Sequence, residues 1–308
     1  MKARIHEIQS VAAGIKKFWL VPEDGGQFPA ASAGANILLE IPGLGRTWKN
    51  AYSLVSAPGE RKHYEIIVRR VAHSRGGSTW LHDHAVRGQV IEIGMPSNLF
   101  PIAVTAKKHL LLSAGIGVTP FLSYLPVLQA ANTAFELHHC CRIDEAEAFR
   151  ALLPATAPIV LHTSRNTLDL SQLLAAQNLQ THLYICGPEG FIELAIATAR
   201  KLGWPEAKIH KESFGGATGG APFRVKLARS GFELQVKEDE SLLEALENAG
   251  LSPPSLCRGG ACGVCELPVL QGAPEHHDHY LSEPLRAANR SMMTCVSRAM
   301  TPELVLDF

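Results

Sequence analysis

No sign of charge predominates in this chain: 29 Lys and Arg stand against 29 Asp and Glu, a formal net charge of zero. A polybasic surface for nucleic acid or anionic lipid is therefore not expected. No long apolar run survives unbroken. The richest, residues 110–128, is interrupted by Gly115, Gly117, Pro120 and Pro126, which excludes it as a membrane span. No apolar stretch follows Lys2 and Arg4, so no secretion signal is expected and a cytoplasmic location is. No internal repeat is present. Seven Cys, an odd number, do not suggest a disulfide framework in such a chain. They point to thiols used in metal or redox chemistry. The rest is globular composition, 46% hydrophobic and 19% charged. At 308 residues the chain exceeds what one core normally holds, so two or three domains are expected.

Three regions differ in texture. Residues 1–103 read as short strands between turns, among them 36–41, 63–68 and 89–93. Such spacing suggests a barrel or sandwich. One helix is expected within it, over 79–86, with Ser78 as its N-cap. Residues 104–214 alternate strand and helix, which means a parallel sheet covered on both faces. Its strands are expected at 110–112, 135–140, 159–162 and 184–186. Its helices are expected from Pro120 with Thr119 as N-cap, from Asp144, over 170–176, and over 191–202 before Gly203. Residues 215–222 hold four Gly and read as a flexible linker. In the last region, 223–308, two strands (223–227 and 232–236) precede a helix. Ser241 and Glu244 form its capping box, and Gly250 ends it.

Four cysteines carry the most information. Cys257, Cys262 and Cys265 have the spacing C-x4-C-x2-C, and Cys295 follows after a long gap. This is the plant-type [2Fe–2S] pattern. Two irons and two bridging sulfides need four thiolates in one small volume. Gly259, Gly260 and Gly263 lie between the ligands, letting backbone N–H groups approach the sulfurs. Structural zinc usually shows paired C-x2-C units, and only one is present. The stretch Cys257-Arg258-Gly259-Gly260-Ala261-Cys262-Gly263-Val264-Cys265 closely resembles the cluster loop of plant-type ferredoxins.

Two motifs lie upstream. Tyr52-Ser53 sits in an expected strand, and Gly76-Gly77-Ser78 precedes an expected helix, where free N–H groups favour an anion. Singly, the first reads as packing and the second as a turn. Further on, Ser113-Ala114-Gly115-Ile116-Gly117-Val118-Thr119-Pro120 lets a dinucleotide pyrophosphate approach the backbone, or packs a helix tightly on a strand. Cys186-Gly187-Pro188 ends a later strand. Chemistry alone divides evenly between a buried structural Cys186 and one facing a cofactor.

Taken in this order, the motifs resemble the ferredoxin–NADP reductase superfamily and its phthalate dioxygenase reductase family, over essentially the whole chain. The resemblance implies an antiparallel flavin-binding β-barrel at 1–103 and a parallel α/β nucleotide-binding domain at 104–214. A C-terminal β-grasp ferredoxin domain at 223–308 would follow the linker. It implies FMN, NADH and a [2Fe–2S] cluster held by Cys257, Cys262, Cys265 and Cys295. Tyr52 and Ser53 would hold the flavin ring, and Gly76, Gly77 and Ser78 its phosphate. Gly115, Gly117 and Thr119 would hold the dinucleotide. Cys186, with Gly187 and Pro188, would lie beside the nicotinamide. Phe214, in Lys211-Glu212-Ser213-Phe214, would lie near the flavin, so that Ser53, Cys186 and Phe214 flank the reacting ring. The family's Arg before x-Tyr-Ser is Asn50 here, which leaves Arg46, Lys49 or Arg75 to meet the phosphate.

The implied activity is that of an oxygenase reductase. NADH gives a hydride to FMN, and electrons pass singly to the cluster and then to a separate oxygenase. The usual partner in the family is a Rieske non-haem iron protein. A haem oxygenase, or a stand-alone flavin or ferric reductase role with an accessory cluster, are the alternatives. The sequence shows no oxygen-activating motif of its own. His276, His277 and His279 around Asp278 read as a poor metal site. Cys140-Cys141 read as buried small residues. Arg142 is placed to meet the adenosine ribose, and Asp144 nearby would repel a 2′-phosphate, which favours NADH over NADPH.

Overall fold

Three main sheets and one two-stranded pair organise the chain in a computed structural model that describes residues 1–43, 47–71, 76–164, 167–214 and 219–308. Two compact units result, Met1–Ser213 and Phe214–Phe308.

The first sheet is antiparallel: β1 (Lys2–Ala12), β2 (Ile15–Pro22), β3 (Asn36–Pro42), β4 (Thr47–Ser53), β5 (Tyr64–Arg69) and β6 (Val90–Ile93), in the order β4-β3-β6-β1-β2-β5. A bridge between Leu54 and Ile66 joins the strands at its two edges and rolls it into a barrel. Alternation fills the interior; Ile37, Leu39 and Ile41 of β3 are all fully buried. Helix α1 (Gly77–Asp83) follows β5. It starts with Gly76 at the N-cap, at φ 130°, and not with Ser78. The Ser78 hydroxyl accepts the Val71 N–H.

The second sheet is wholly parallel. It comprises β7 (Lys108–Ala114), β8 (Ala134–Cys140), β9 (Ile159–His162), β10 (Thr181–Cys186) and β11 (Ile209–Glu212), ordered β11-β10-β7-β8-β9. Between them run α2 (Thr119–Ala130), α3 (Ala146–Leu152), α4 (Leu170–Ala175) and α5 (Glu189–Lys201). Successive strand residues point to opposite faces. Leu111, Leu137 and Tyr184 join a core with Phe121, Leu125 and Phe149. Leu110, Leu112, Leu183 and Ile185 pack on Leu174, Ile192 and Ala195. The first of these cores also takes in Ile15 and Ile67 from the barrel, so barrel and α/β layers share buried side chains.

Two helix starts differ from the sequence expectation. A 3-10 turn, Gly115–Val118, precedes α2, so Val118 is the N-cap, and the Thr119 hydroxyl donates back to the Ile116 carbonyl at 2.9 Å. Asp144 falls in a 3-10 turn, Ile143–Glu145, before α3. The α4 cap, Asp169 accepting from Gln172 N–H, went unread in the sequence.

The second unit holds β12 (Phe223–Leu227), β13 (Glu233–Val236), α6 (Leu242–Asn248), β14 (Glu266–Gln271), β15 (Pro274–Glu275), α7 (Glu283–Ala288), β16 (Ser291–Met293), β17 (Arg298–Ala299) and β18 (Glu303–Leu306). The main sheet runs β13-β12-β18-β14-β16, with β15 paired to β17. The Ser241/Glu244 capping box of α6 is formed in full. Within the span expected as linker, 215–218 lie outside the described residues. Gly220 and Ala221 are held to this unit: their carbonyls accept from the buried Arg298 guanidinium, which also donates to Lys237 and Glu240 carbonyls.

The zero net charge divides unevenly. Residues 1–213 carry 21 Lys and Arg against 17 Asp and Glu, and residues 214–308 carry 8 against 12.

Candidate functional site

The parallel sheet changes direction between β7 and β10. The chain runs β7, β8, β9 to one side, then returns to place β10 on the other side of β7. Ligands of open α/β sheets bind at such a switch, beyond the carboxyl ends of the strands. The Gly115 turn follows β7 there and the Cys186-Gly187-Pro188 turn follows β10, with Ser113 and Cys186 in register. The two turns touch. A Cβ on Gly117 would lie 2.3 Å from the Cys186 carbonyl oxygen, so only glycine fits. A Cβ on Gly187 would lie 3.0 Å from that of Ala114. Thr119 is buried at the start of α2, and Pro188 is the N-cap of α5. Cys186 is fully buried, and burial, reinforced by Glu212, pushes its thiol well above the ordinary value. It is a neutral S–H that can position a ring and no thiolate nucleophile.

Around this crevice stand polar residues that sequence reading missed. Glu145, 4% exposed, accepts two hydrogen bonds from Arg69 at 2.7 and 3.0 Å. Buried His139 bonds Ser113 Oγ through Nδ1 at 2.8 Å, and its Nε2 has no hydrogen-bond partner among the described residues. Burial lowers the His139 pKa to about 4. Arg69 ends a barrel strand and Glu145 follows a sheet strand, so neither local pattern announces the pair. On the surface, Arg142 and Asp144 bind each other at 3.1 and 2.7 Å.

In the barrel, Trp48, Asn50 and Tyr52 alternate along β4 and so share a face. Trp48 and Asn50 meet the glycine turn: a Cβ on Gly76 would strike the Trp48 ring at 2.4 Å, and one on Gly77 would sit 3.2 Å from the Asn50 amide. The glycine turn thus meets β4 at Trp48 and Asn50, and Tyr52 and Ser53 lie further on, at the strand's carboxyl end. Ser53 Oγ is buried without a hydrogen-bond partner among the described residues. A hydroxyl left so is costly unless something polar completes it. Arg46 and Arg75 lie outside the described residues. Lys49 is 4.0 Å from Glu40. Phe214 opens the second unit and is 43% exposed.

The four thiols of the second unit converge. Cys265 and Cys295 sulfurs are 3.2 Å apart, and Cys257 is in hydrogen-bonding contact with both Cys262 and Cys295. None is in a disulfide. Cys257 Sγ also accepts the Gly259 and Ala261 N–H groups, each at 3.4 Å. The neighbouring thiols first, and these N–H groups second, pull Cys257 far below the ordinary thiol value. The two backbone N–H groups aimed at the Cys257 sulfur favour negative charge there, as an iron–sulfur ligand requires. No three His, Cys, Asp or Glu among the described residues are set to hold a single ion. A binuclear cluster does not ask for that, since four thiolates shared over two irons leave two to each.

The loop is braced from behind. A Cβ on Gly260 would lie 3.0 Å from Asp278 Cα, and the buried Asp278 carboxylate accepts Tyr280 and Leu281 N–H at 3.1 and 2.8 Å. The histidines beside it turn to different partners: His276 to Asn289 and Asp278, and His277 to Glu275. Cys140 and Cys141 are half-buried free thiols, and burial raises Cys140 to about 11.

Comparison with known proteins bears on each half. Residues 225–300 match the model of the 2Fe-2S iron-sulfur cluster binding domain. Residues 98–209 match that of the dimethylamine monooxygenase subunit DmmA-like, N-terminal domain. The chain is 44% identical to the heme-dependent oxidative N-demethylase beta subunit of Ectopseudomonas mendocina (strain ymp), over 91% of this chain and 90% of that protein. It is 38% identical to the carnitine monooxygenase reductase subunit of Escherichia coli (strain K12), over 99% and 98%. Among solved structures, phthalate dioxygenase reductase, described as a modular structure for electron transfer from pyridine nucleotides to [2Fe-2S], superposes with a TM-score of 0.88 at 30% identity, covering 100% of this chain and 98% of that one.

Proposed function

Since the chain belongs to the phthalate dioxygenase reductase family of electron-transfer oxidoreductases, we propose that this member takes its electrons from NADH, holds FMN, and reduces a separate oxygenase through its [2Fe–2S] cluster. The observation that carries the reading is the presence, in one chain, of a four-thiol loop and of a sheet switch point at which the Gly115 and Cys186 turns touch. Bound there, the nucleotide, the flavin and the cluster supply hydride transfer and its division into single electrons.

The protein's own residues bind and orient. Gly115, Gly117 and Thr119 bring backbone to the dinucleotide, and Cys186, Gly187 and Pro188 set the depth of the nicotinamide. Ser53 Oγ offers its unused hydrogen bond to the flavin edge, and Tyr52 packs beside it. Gly76, Gly77 and Ser78 hold the flavin phosphate in this reading, through the backbone N–H groups at the start of α1. Phe214 is assigned to the flavin on the family pattern alone. The Arg142–Asp144 pair supports NADH, because Asp144 both occupies the guanidinium and repels a 2′-phosphate. The division at 1–103, 104–214 and 223–308 is retained as the functional one.

The partner is proposed to be a haem protein that demethylates an N-alkyl amine. The 44% relative is a subunit of a heme-dependent N-demethylase, and the α/β region matches a dimethylamine monooxygenase subunit model. The Rieske partner is the second reading, favoured by the 0.88 superposition on phthalate dioxygenase reductase.

An anaerobic visible titration with NADH and then NADPH tests the cofactors. Flavin bleaching followed by loss of cluster absorbance, at lower NADH than NADPH, is expected. A cluster spectrum that added FMN leaves unchanged defeats the flavin assignment. Mixing the reduced protein with candidate haem and Rieske oxygenases ranks the partners by rate. Faster reduction of the Rieske protein overturns the haem reading.

A further inference from the structure

Ser123 sits where α2 meets the barrel. It is 1% exposed, and its hydroxyl works in two directions. It donates to the Pro120 carbonyl, in the first turn of α2, at 2.8 Å. It accepts the buried Gly34 N–H, from the barrel, at 2.9 Å. Gly34 has little freedom to move. Its φ is +85°, and a Cβ there would run into the Phe100 carbonyl and the Tyr124 ring. Tyr124, the next residue of α2, donates to that same carbonyl. Each end of this tie leads to a site residue. On the barrel side, Ala35 accepts the Leu54 N–H at 2.8 Å, and Asn36 pairs with Ser53 in the β3–β4 ladder. On the sheet side, Thr119 and Pro120 follow directly on the Gly115–Val118 turn.

We infer that Ser123 is a positioning residue for hydride transfer: through Pro120 and Gly34, its hydroxyl fixes the spacing between the nucleotide turn and the flavin edge at Ser53. The inference rests on the reading that the Gly115 turn holds the dinucleotide and Ser53 meets the flavin. The step served moves one hydride, a hydrogen nucleus with two electrons, from NADH to the flavin, and leaves NAD+ and the anionic reduced flavin. Such a step tolerates little displacement, and a misplacement of about 1 Å costs on the order of a hundredfold in rate. One buried hydroxyl shared by helix and barrel holds the spacing, because any slip leaves a buried N–H and a buried carbonyl short of a partner together. Barrel and sheet also share the core that takes in Ile15 and Ile67, so loss of the hydroxyl loosens the spacing without parting them.

The test uses the full-length holoprotein. Anaerobic stopped-flow with NADH reads flavin reduction, calorimetry reads ADP-ribose affinity, and flavin fluorescence on dilution reads FMN release. Ser123→Ala is expected to slow flavin reduction at saturating NADH about tenfold. ADP-ribose affinity and FMN release should stay within about twofold of wild type, since the hydroxyl is assigned to spacing and not to binding. The long-wavelength charge-transfer absorbance of reduced flavin stacked on NAD+ reports ring placement at equilibrium, and it should weaken in the same variant. Ser123→Cys keeps a weaker donor and acceptor at the same place. It serves if the alanine variant does not fold, and its rate is expected to fall between the other two.

A saturated rate equal to wild type, with or without a lower Tm, makes the tie structural and overturns the inference. Loss of ADP-ribose or FMN affinity as large as the loss of rate makes Ser123 part of a binding site and overturns it as well. A slower rate with the charge-transfer absorbance intact leaves the rings in place and also defeats it. A wild-type protein that holds no flavin, or binds no ADP-ribose, defeats the reading of the two sites themselves. That outcome shows before any variant is compared.

Discussion

A single side chain, Arg298, gathers the carbonyls of Gly220, Ala221, Lys237 and Glu240 at 2.9 to 3.2 Å while only 2% exposed. Removing it leaves buried acceptors without donors, each costing free energy that water cannot return. Arg298→Ala is expected to lose on the order of 3 kcal/mol from the second unit. Thermal unfolding followed at the cluster's visible absorbance reads this directly, and an unchanged midpoint would refute it. Gly117→Ala acts through steric conflict, since backbone stands 2.3 Å from the new methyl. Its expected signature is a loss of ADP-ribose binding while FMN stays bound. Cys257→Ser removes the sulfur that two backbone N–H groups address. NADH-driven reduction of a dye should persist in that variant and partner reduction should stop. Persisting partner reduction would favour a flavin reductase with an accessory cluster.

At the level of elements, the parallel sheet carries an unusual load of imidazoles. His109 on β7, His182 on β10 and His210 on β11 crowd around Tyr184, with His182 and His210 bonded at 2.9 Å. Burial first, and then mutual proximity, lowers His109 and His210 from 6.5 to about 4. His182 is lowered too, with Lys208 adding to its burial. The folded state therefore holds these rings neutral where the unfolded chain would protonate them. Their contribution is complete above about pH 6.5 and is lost as pH falls from there towards 4. Tm should drop across that window, and His109→Leu should flatten the drop, because His109 Nδ1 is buried without a hydrogen-bond partner among the described residues. An identical slope in the variant would remove His109 from the account.

These histidines show what a sequence conceals. Two of the strands that bear them, β7 and β10, were legible because apolar runs ended at Gly-bearing turns, whereas the short β11 with His210 went unread; the α6 capping box was legible because its reciprocal bonds are local. The four ligands were legible because cluster chemistry demands a fixed spacing. β1 and β2 were missed because register shifts at Ile5/Glu7 and Ser10/Ala12 break the period-two pattern. Ser78 looked like a cap because a serine before a helix usually is one, but its hydroxyl is taken by Val71. Arg69 and Glu145 are 76 positions apart, so only the packing of barrel on sheet brings them together.

For the whole molecule, the balanced charge conceals an excess of four bases in residues 1–213 and of four acids in 214–308. The acidic half is the one that carries the cluster ligands. A basic docking face on the oxygenase is the expected complement. Partner turnover should then fall between about 50 and 500 mM salt, as screening shortens the range of attraction. NADH-to-dye reduction by the same sample is the internal control, and parallel losses in both would argue against charge-guided docking.

Arg298 also decides where a pull on the chain is felt. A tug arriving through residue 219 is taken up at Gly220 and Ala221 by a guanidinium whose other bonds run to Lys237 and Glu240. Those residues lie ahead of α6, not in the loop 257–265. The line of load bypasses three of the four sulfurs, and the fourth, Cys295, stands three residues from the mooring on a buried stretch. A carrier moored in this way can be hauled by its lead without the strain opening the ring of thiols.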